Sequence, residues 1–296
     1  MAVRGGVIVL VEPFGTGGGV DVIARPFAAA LAVALDAQVV VDNRPGLGAT
    51  AAPAFVASAP ADGRTLLLNT SAHAYTAALS ERLPYDPIAD FVPVAAVTSQ
   101  AYVLVANPSA GFQRLADLAR AGRIRPGGLS FVSAGLGTGT HVCAAQLNHD
   151  LGIGARHIPA RAEDGISETI ARVAAGEADY AVSPIPIAAP HLAAGTLIAI
   201  GVTATRRSPL LPDVPTLAEL GADGFDFPIW YGLWAPAETP APVVAELAAA
   251  VSEALRSPEL ASRFEKHGAA ILRLTQTEFG DFVTSEVARA GRFALP

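Results

Sequence analysis

The stretch Pro13-Phe14-Gly15-Thr16-Gly17-Gly18-Gly19-Val20-Asp21 decides how this chain is read. Before it runs Val7-Ile8-Val9-Leu10-Val11, an apolar run that reads as a buried strand. After it, Val20, Ile23, Ala24, Phe27, Leu31 and Leu35 recur at helical spacing. Strand, glycine loop and helix in that order aim unpaired backbone N–H groups at one point, and the helix dipole adds to their pull on an anion. Thr16 contributes a hydroxyl, and Asp21 in the first turn is expected to cap the helix. The pattern indicates an anion without saying which. No Gly-Lys-Ser/Thr follows, so it is not a phosphate P-loop, and the run Gly15 to Gly19 matches a dinucleotide fingerprint only loosely. Asp42, after Val39-Val40-Val41, stands where a ribose-binding acid would, which keeps a coenzyme site open. A bare strand-to-helix turn seldom needs so many glycines.

Outward from that loop the chain alternates short apolar strands with helical patterns: Gln38–Val41, a helix from Thr50, then Thr65–Leu68. That alternation predicts a parallel α/β sheet. Asn43-Arg44-Pro45-Gly46-Leu47-Gly48 and Asn69-Thr70-Ser71-Ala72-His73 are further loops after strands. In an open sheet such loops gather at the carboxyl ends of the strands, where ligands bind. After a proline-punctuated connection around Pro84–Phe91, Tyr102–Ala106 reads as a long crossing strand. A second series follows, in which strand Leu129–Val132 leads to Ser133-Ala134-Gly135-Leu136-Gly137-Thr138-Gly139-Thr140-His141 and then a helix. That loop repeats the opening device and suggests two helix N-termini facing one ligand across a cleft. Helices from Pro242 onward are expected to return to the first domain. The resulting division is a discontinuous first lobe of residues 1–103 and 220–296, a second lobe of 104–219, and crossings near 102–106 and 215–228.

Bulk properties agree with a globular protein that handles small molecules. Of 296 residues 51% are hydrophobic and 16% charged, enough to build large cores and too apolar for disorder. The net charge of −7 and the lack of a basic cluster exclude a nucleic-acid surface. Cys143 is the single cysteine, so neither an intrachain disulfide nor a multi-cysteine metal site is available. The six histidines follow no metal-binding spacing, and no metal or cofactor is expected. No apolar run is long enough to span a bilayer. Met1–Gly6 lacks the features of a secretory signal, so the expectation is either an internal protein or a mature form restarted with methionine.

With these loops placed, the sequence resembles the Bug family, the substrate-binding receptors of tripartite tricarboxylate transporters. The resemblance rests on Pro13 to Asp21, Val41-Asp42-Asn43-Arg44-Pro45-Gly46 and Asp62-Gly63-Arg64-Thr65-Leu66. It continues through Leu83–Pro87, Asp90–Val94, the Ser133–His141 loop, Arg207–Glu219 and Trp230–Pro236, ending near Glu278-Phe279. It implies a two-lobed, periplasmic-binding-protein-like α/β fold of type II, with a ligand cleft between lobes that close by a hinge. It further implies a periplasmic, non-enzymatic receptor with no catalytic residues. Such a receptor takes a small carboxylate on backbone amides and hydroxyls of facing loops and works with membrane transporter subunits. A monomer is expected. The ligand-binding candidates are Phe14, Gly15, Thr16, Gly17, Gly18, Thr70, Ser71 and His73 in the first lobe, with Ser133, Gly135, Thr138, His141 and Ser183 in the second.

Four departures from the family pattern stand out, among them Gly15-Thr16 in place of the usual proline-rich pair. Glu12 occupies a position that is commonly apolar, and Ala160-Arg161-Ala162 replaces a common tyrosine-lysine-glycine. Ser183 stands where many members carry an aspartate, which points to a ligand without an ammonium group. Other readings remain open: a nucleotide- or coenzyme-dependent enzyme using Gly15 to Gly19, or an intracellular carboxylate sensor on the same fold. For Thr70 and Ser71 helix capping competes with ligand contact, and for His141 so does packing with a backbone bond. Trp230 and Tyr231 are expected to be buried. A serine hydrolase is disfavoured because no Gly-X-Ser-X-Gly elbow is present.

Overall fold

A computed structural model of the chain describes residues 3, 5–46, 49–79, 83–159 and 166–292. The expectations above that concern Met1, Ala2, Arg4, Leu47, Gly48 and Ala160-Arg161-Ala162 fall outside those residues. The chain forms two compact units, one running to Ser99 and resuming at Trp230, the other spanning Gln100–Ile229.

In the first unit the opening segments form β1 (Val7–Glu12), α1 (Asp21–Leu35), β2 (Gln38–Asn43), α2 (Ala51–Ala57), β3 (Thr65–Thr70) and α3 (Ala72–Leu79). Strand β1 pairs in parallel with β2 on one side and with β3 on the other. Ile8 and Leu10 of β1, Leu66, Leu67 and Leu68 of β3, and Ile23, Phe27, Leu31 and Leu35 of α1 are all fully buried. The four α1 residues recur every fourth position, so one helix face meets the sheet. Burying each such side chain contributes about 1.5–3 kcal/mol.

The sheet continues past β3 through three more strands. These are β4 (Phe91–Gln100) and the later β10 (Ile229–Pro236) and β11 (Ala269–Ile271), in the order β11-β4-β10-β3-β1-β2. Strand β10 runs antiparallel to β3, so the sheet is mixed where an all-parallel one was expected. Every residue of β10 is buried, so it lacks the alternation that betrays a strand with one wet face. Gly232 in its middle is required by close approach, since a Cβ there would lie 2.2 Å from the Phe279 ring.

In the second unit β5 (Tyr102–Ala106), α4 (Leu115–Ile124), β6 (Leu129–Ser133), α5 (Gly139–Leu151), β7 (Ala155–Pro159), α6 (Ile166–Ala174), β8 (Tyr180–Pro184), α7 (Ile185–Ala193) and β9 (Ile198–Val202) follow in turn. Their sheet order is β7-β6-β8-β5-β9. Strand β6 is parallel to β7 and β8, and β5 is antiparallel to β8 and β9. Val103, Val105, Val132, Ile170, Val173 and Ile185 form the middle of its core.

The two units repeat one arrangement. Each contains a strand whose two neighbours are the next two strands in the series, one on either side, so the connections leave in opposite directions. The carboxyl end of such a strand is a topological switch point, where open α/β sheets bind ligands. Those two strands are β1 and β6, the strands that carry the glycine-rich loops.

The first unit is completed by α8 (Ala241–Ala254), α9 (Pro258–Glu265) and α10 (Gln276–Gly291). Helix α10 is tied inward through Glu286, which is buried. Its Oε2 accepts from Tyr75 Oη at 2.9 Å, Trp230 Nε1 at 2.9 Å and Arg289 Nη2 at 2.8 Å. One carboxylate thereby joins α3, β10 and α10. Removing it takes a shared acceptor from two buried donors, Tyr75 Oη and Trp230 Nε1, and from a half-buried guanidinium. Glu286→Ala is expected to lower unfolding stability by about 3 kcal/mol in urea titrations. A loss below about 0.5 kcal/mol would show that the cluster carries no stability.

Candidate functional site

The first glycine loop is shaped by the residues around it. Gly18 N–H turns back to Gly15 O at 3.0 Å, and a Cβ on Gly18 would lie 2.9 Å from that oxygen, so the turn itself demands a glycine. At Gly15 and Gly19 an added Cβ would meet nothing within 4 Å, and neither has a positive φ. The fold therefore does not need glycine at those two positions; what the glycines give is open access to the backbone. The N–H groups of Gly15, Thr16 and Gly19 have no partner among the described residues.

Other donors of the same loop are already engaged. Phe14 N–H donates to Glu12 Oε2 at 2.7 Å, and Gly17 N–H to Asp21 Oδ2 at 2.9 Å. Asp21 thus reaches back into the loop; the helix N-cap is Val20, with no side-chain cap, against the expected capping role. Asn43 at the end of β2 joins these groups. Its Nδ2 donates to Glu12 Oε1, to Asp21 Oδ1 at 3.0 Å and to Phe14 O at 3.3 Å. Its Oδ1 accepts from Arg25 Nη2 at 3.1 Å and Thr16 Oγ1 at 3.3 Å. Arg25 Nε also pairs with Asp21 at 2.8 Å.

Burial works against ionising Asp21, but Arg25, the Gly17 amide and Asn43 together hold its pKa below the ordinary value. Glu12 is fully buried and has no comparable cation, and burial above all pushes its pKa from 4.5 to about 7. Asp42, the candidate ribose-binding acid, is paired with Arg44 at 2.7 Å. Tyr231 of β10 is buried and donates through its hydroxyl to Gly19 O at 3.4 Å.

The remaining first-unit candidates lie at the carboxyl end of β3. Thr70 Oγ1 accepts from Ala72 N–H at 3.2 Å, the local capping geometry. Ser71 is fully buried and its Oγ has no partner among the described residues. The His73 ring packs against Phe91 and Trp234, with ring centroids 4.8 and 4.7 Å away, and burial lowers its pKa to about 4. It is a neutral ring in an aromatic setting.

In the second unit the loop after β6 is braced by hydroxyls. Thr138 caps α5, accepting from His141 N–H at 3.4 Å and donating to Gly135 O at 2.7 Å. Gly135 N–H goes to Ser133 Oγ at 3.2 Å and Ala134 N–H to Thr140 Oγ1 at 3.1 Å. His141 Nδ1 accepts from Gly137 N–H at 3.4 Å, which leaves the ring proton on Nε2. That Nε2 is buried and without a partner among the described residues. His157 of β7, not singled out from the sequence, lies 2.8 Å from Ser133 Oγ through its Nε2 and 4.6 Å from the His141 ring centre. Burial lowers both histidines to about 4, and for His141 the neighbouring His157 adds to the effect. The spacing carried no signal for His157, because a lone histidine in a short strand reads as ordinary packing. Ser183 on β8 is fully buried and donates to Pro184 O at 3.0 Å. Among the described residues no group of three metal-binding side chains occurs, and no helix is long and apolar enough to cross a membrane.

Comparison with known proteins adds a family to this geometry. The family model described as "Tripartite tricarboxylate transporter family receptor" matches residues 23–294. Protein BugT of Bordetella pertussis is 31% identical over 284 residues, covering 95% of this chain and 86% of the relative. The structure of MatC from Rhodopseudomonas palustris with bound malate is 32% identical, with a TM-score of 0.84 over 98% of this chain and 99% of that one. A second R. palustris structure, Rpa4515 with adipate, is 29% identical, with a TM-score of 0.86 over 98% of this chain and 96% of that one.

The Glu12 environment has a consequence for stability. A pKa raised on folding means that the native state holds a proton which the unfolded chain gives up. The contribution is therefore fully present below about pH 4.5 and is lost as pH rises through about 7. Thermal melts are expected to show a steeper loss of stability from pH 5 to pH 8 in the parent than in Glu12→Gln. Equal slopes would contradict the raised pKa.

Proposed function

The chain belongs to the tripartite tricarboxylate transporter receptor family, and from that premise we propose that it is a solute-binding receptor for a small carboxylate, working outside the cytoplasmic membrane and delivering its ligand to the membrane subunits of such a transporter. The observation that carries the ligand class is the set of open amides at Gly15, Thr16 and Gly19, at the N-terminus of α1 and at a switch point of the sheet. Unpaired N–H groups at a helix N-terminus favour an anion, and a carboxylate is small enough to be held by two or three of them. In the second unit the buried Nε2–H of His141 offers a neutral donor of the same kind. No lysine or arginine is needed in either loop. Malate and adipate in the two R. palustris relatives support the class of ligand.

The coenzyme reading loses its support at Asp42, whose carboxylate is already taken by Arg44. An enzymatic hydrolase loses it at His157: Ser133 has an imidazole beside it, but among the described residues no carboxylate orients that ring. Ser183 is neutral and bonded to its own strand, so its side chain offers no charge to a ligand ammonium group. Plain dicarboxylates are therefore favoured over amino acids.

Two measurements test this reading. Gly15→Val places its Cβ where nothing lies within 4 Å, so the melting temperature is expected to stay unchanged while calorimetric affinity for malate or adipate falls by at least about tenfold. Undiminished affinity would remove Gly15 from the site. In a direct comparison, malate is expected to bind at least about tenfold more tightly than aspartate; the reverse order would refute the role given to Ser183.

A further inference from the structure

Glu12 lies beneath the first glycine loop and is not explained by carboxylate capture, since a second carboxylate repels the first. We propose that Glu12 is a proton-operated positioning residue: ionised, it holds the Phe14 amide and turns anions away, and protonated, it releases the loop to a ligand carboxylate. The proposal rests on the carboxylate reading above and adds a regulation to it.

The geometry requires a trade. Both oxygens of Glu12 face donors, Phe14 N–H at 2.7 Å on one side and Asn43 Nδ2 on the other. Asn43 cannot turn its amide over, because Arg25 and Thr16 donate to its Oδ1 while Asp21 and Phe14 O accept from its Nδ2. A proton on the lone pair that Phe14 N–H or Asn43 Nδ2 now meets displaces that donor. Loss of the Phe14 bond frees an amide at the start of the loop; loss of the Asn43 bond loosens the side chain that holds Thr16 and Asp21 in place. Either way the negative charge under the loop disappears.

The elements packed on β1 are α1, α2, β2 and β3. From α1, Asp21 and Arg25 bear on Glu12; α2 and β3 contain no titratable residue. Asp42 of β2 is paired with Arg44 from the following loop, and the Arg44 backbone N–H donates to Glu12 O at 2.8 Å. Arg25 spends its hydrogen bonds on Asp21 and Asn43. Asp21 therefore stays ionised, and Glu12 is the member of the pair able to change charge near neutrality, consistent with its pKa of about 7.

The experiment is calorimetric titration of the parent, Glu12→Gln and Glu12→Leu with malate and with adipate at about pH 6.5 and pH 8.5, where both ligands are predominantly dianions. The glutamine amide can offer an acceptor to only one of the two donors, so it reproduces the protonated form. The parent is expected to bind at least about tenfold more tightly at the lower pH, with proton uptake seen as a dependence of the heat on the buffer's ionisation enthalpy. Both variants are expected to bind at each pH with the parent's low-pH affinity and without proton uptake. In the ligand-free parent the Phe14 amide resonance is expected to shift between the two pH values. A fixed Phe14 resonance, parent affinity that ignores pH, or pH dependence that survives in Glu12→Gln would overturn the proton device while leaving the receptor intact. Failure of all three proteins to bind either ligand at both pH values would overturn the carboxylate reading itself, and this proposal with it.

Discussion

Asn43 reaches across from the end of β2 to two carboxylates, a guanidinium and a hydroxyl at once, and the first glycine loop has its shape because of that reach. A glycine loop left to itself has too much backbone freedom to present amides in a fixed direction. Here Glu12 and Asp21 each take one amide, Asn43 fixes both acids, and Arg25 balances the charge of one of them. What remains open is narrow: the amides of Gly15, Thr16 and Gly19. Preorganisation of this kind lowers the ordering cost that binding would otherwise carry.

The second unit meets the same demand with neutral groups. Serine and threonine hydroxyls brace its loop, and two histidines kept uncharged by burial stand beside them. One unit is anchored by acids and the other by hydroxyls and imidazoles, although both place their loop at the carboxyl end of a strand flanked by its two successors. The shared topology sets where a ligand-binding loop belongs, and the side chains differ because many local networks can hold the same backbone. Receptors of one family can thus keep a fold while changing how a site responds to charge.

Much of this was legible in the residues. The strand, glycines and helix around Gly15, and the second such series at Ser133, stand in the structure as β1 with α1 and β6 with α5. Regular alternation placed β1, β2, β3, β6 and β8, because each is a short apolar run between turn residues and a helical pattern. Strands β4 and β10 were not visible: β4 carries Pro93 and no clean period, and β10 is buried along its whole length with a glycine forced by Phe279. Single side chains were harder still. Asp21 looked like a helix cap and serves the loop, while Asn43 looked like one letter of a motif and is the hub of a network. Glu12 had no account from sequence, since its partners come from residues up to 31 positions away. Spacing reveals what a helix or strand brings together, but not what a sheet does.

A crystal structure of this chain grown with malate or adipate would show directly what the first glycine loop holds. A ligand carboxylate is expected there with its oxygens about 3 Å from the backbone nitrogens of Gly15, Thr16 or Gly19. A ligand bound elsewhere with that loop empty, or a dinucleotide phosphate in the loop, would contradict it.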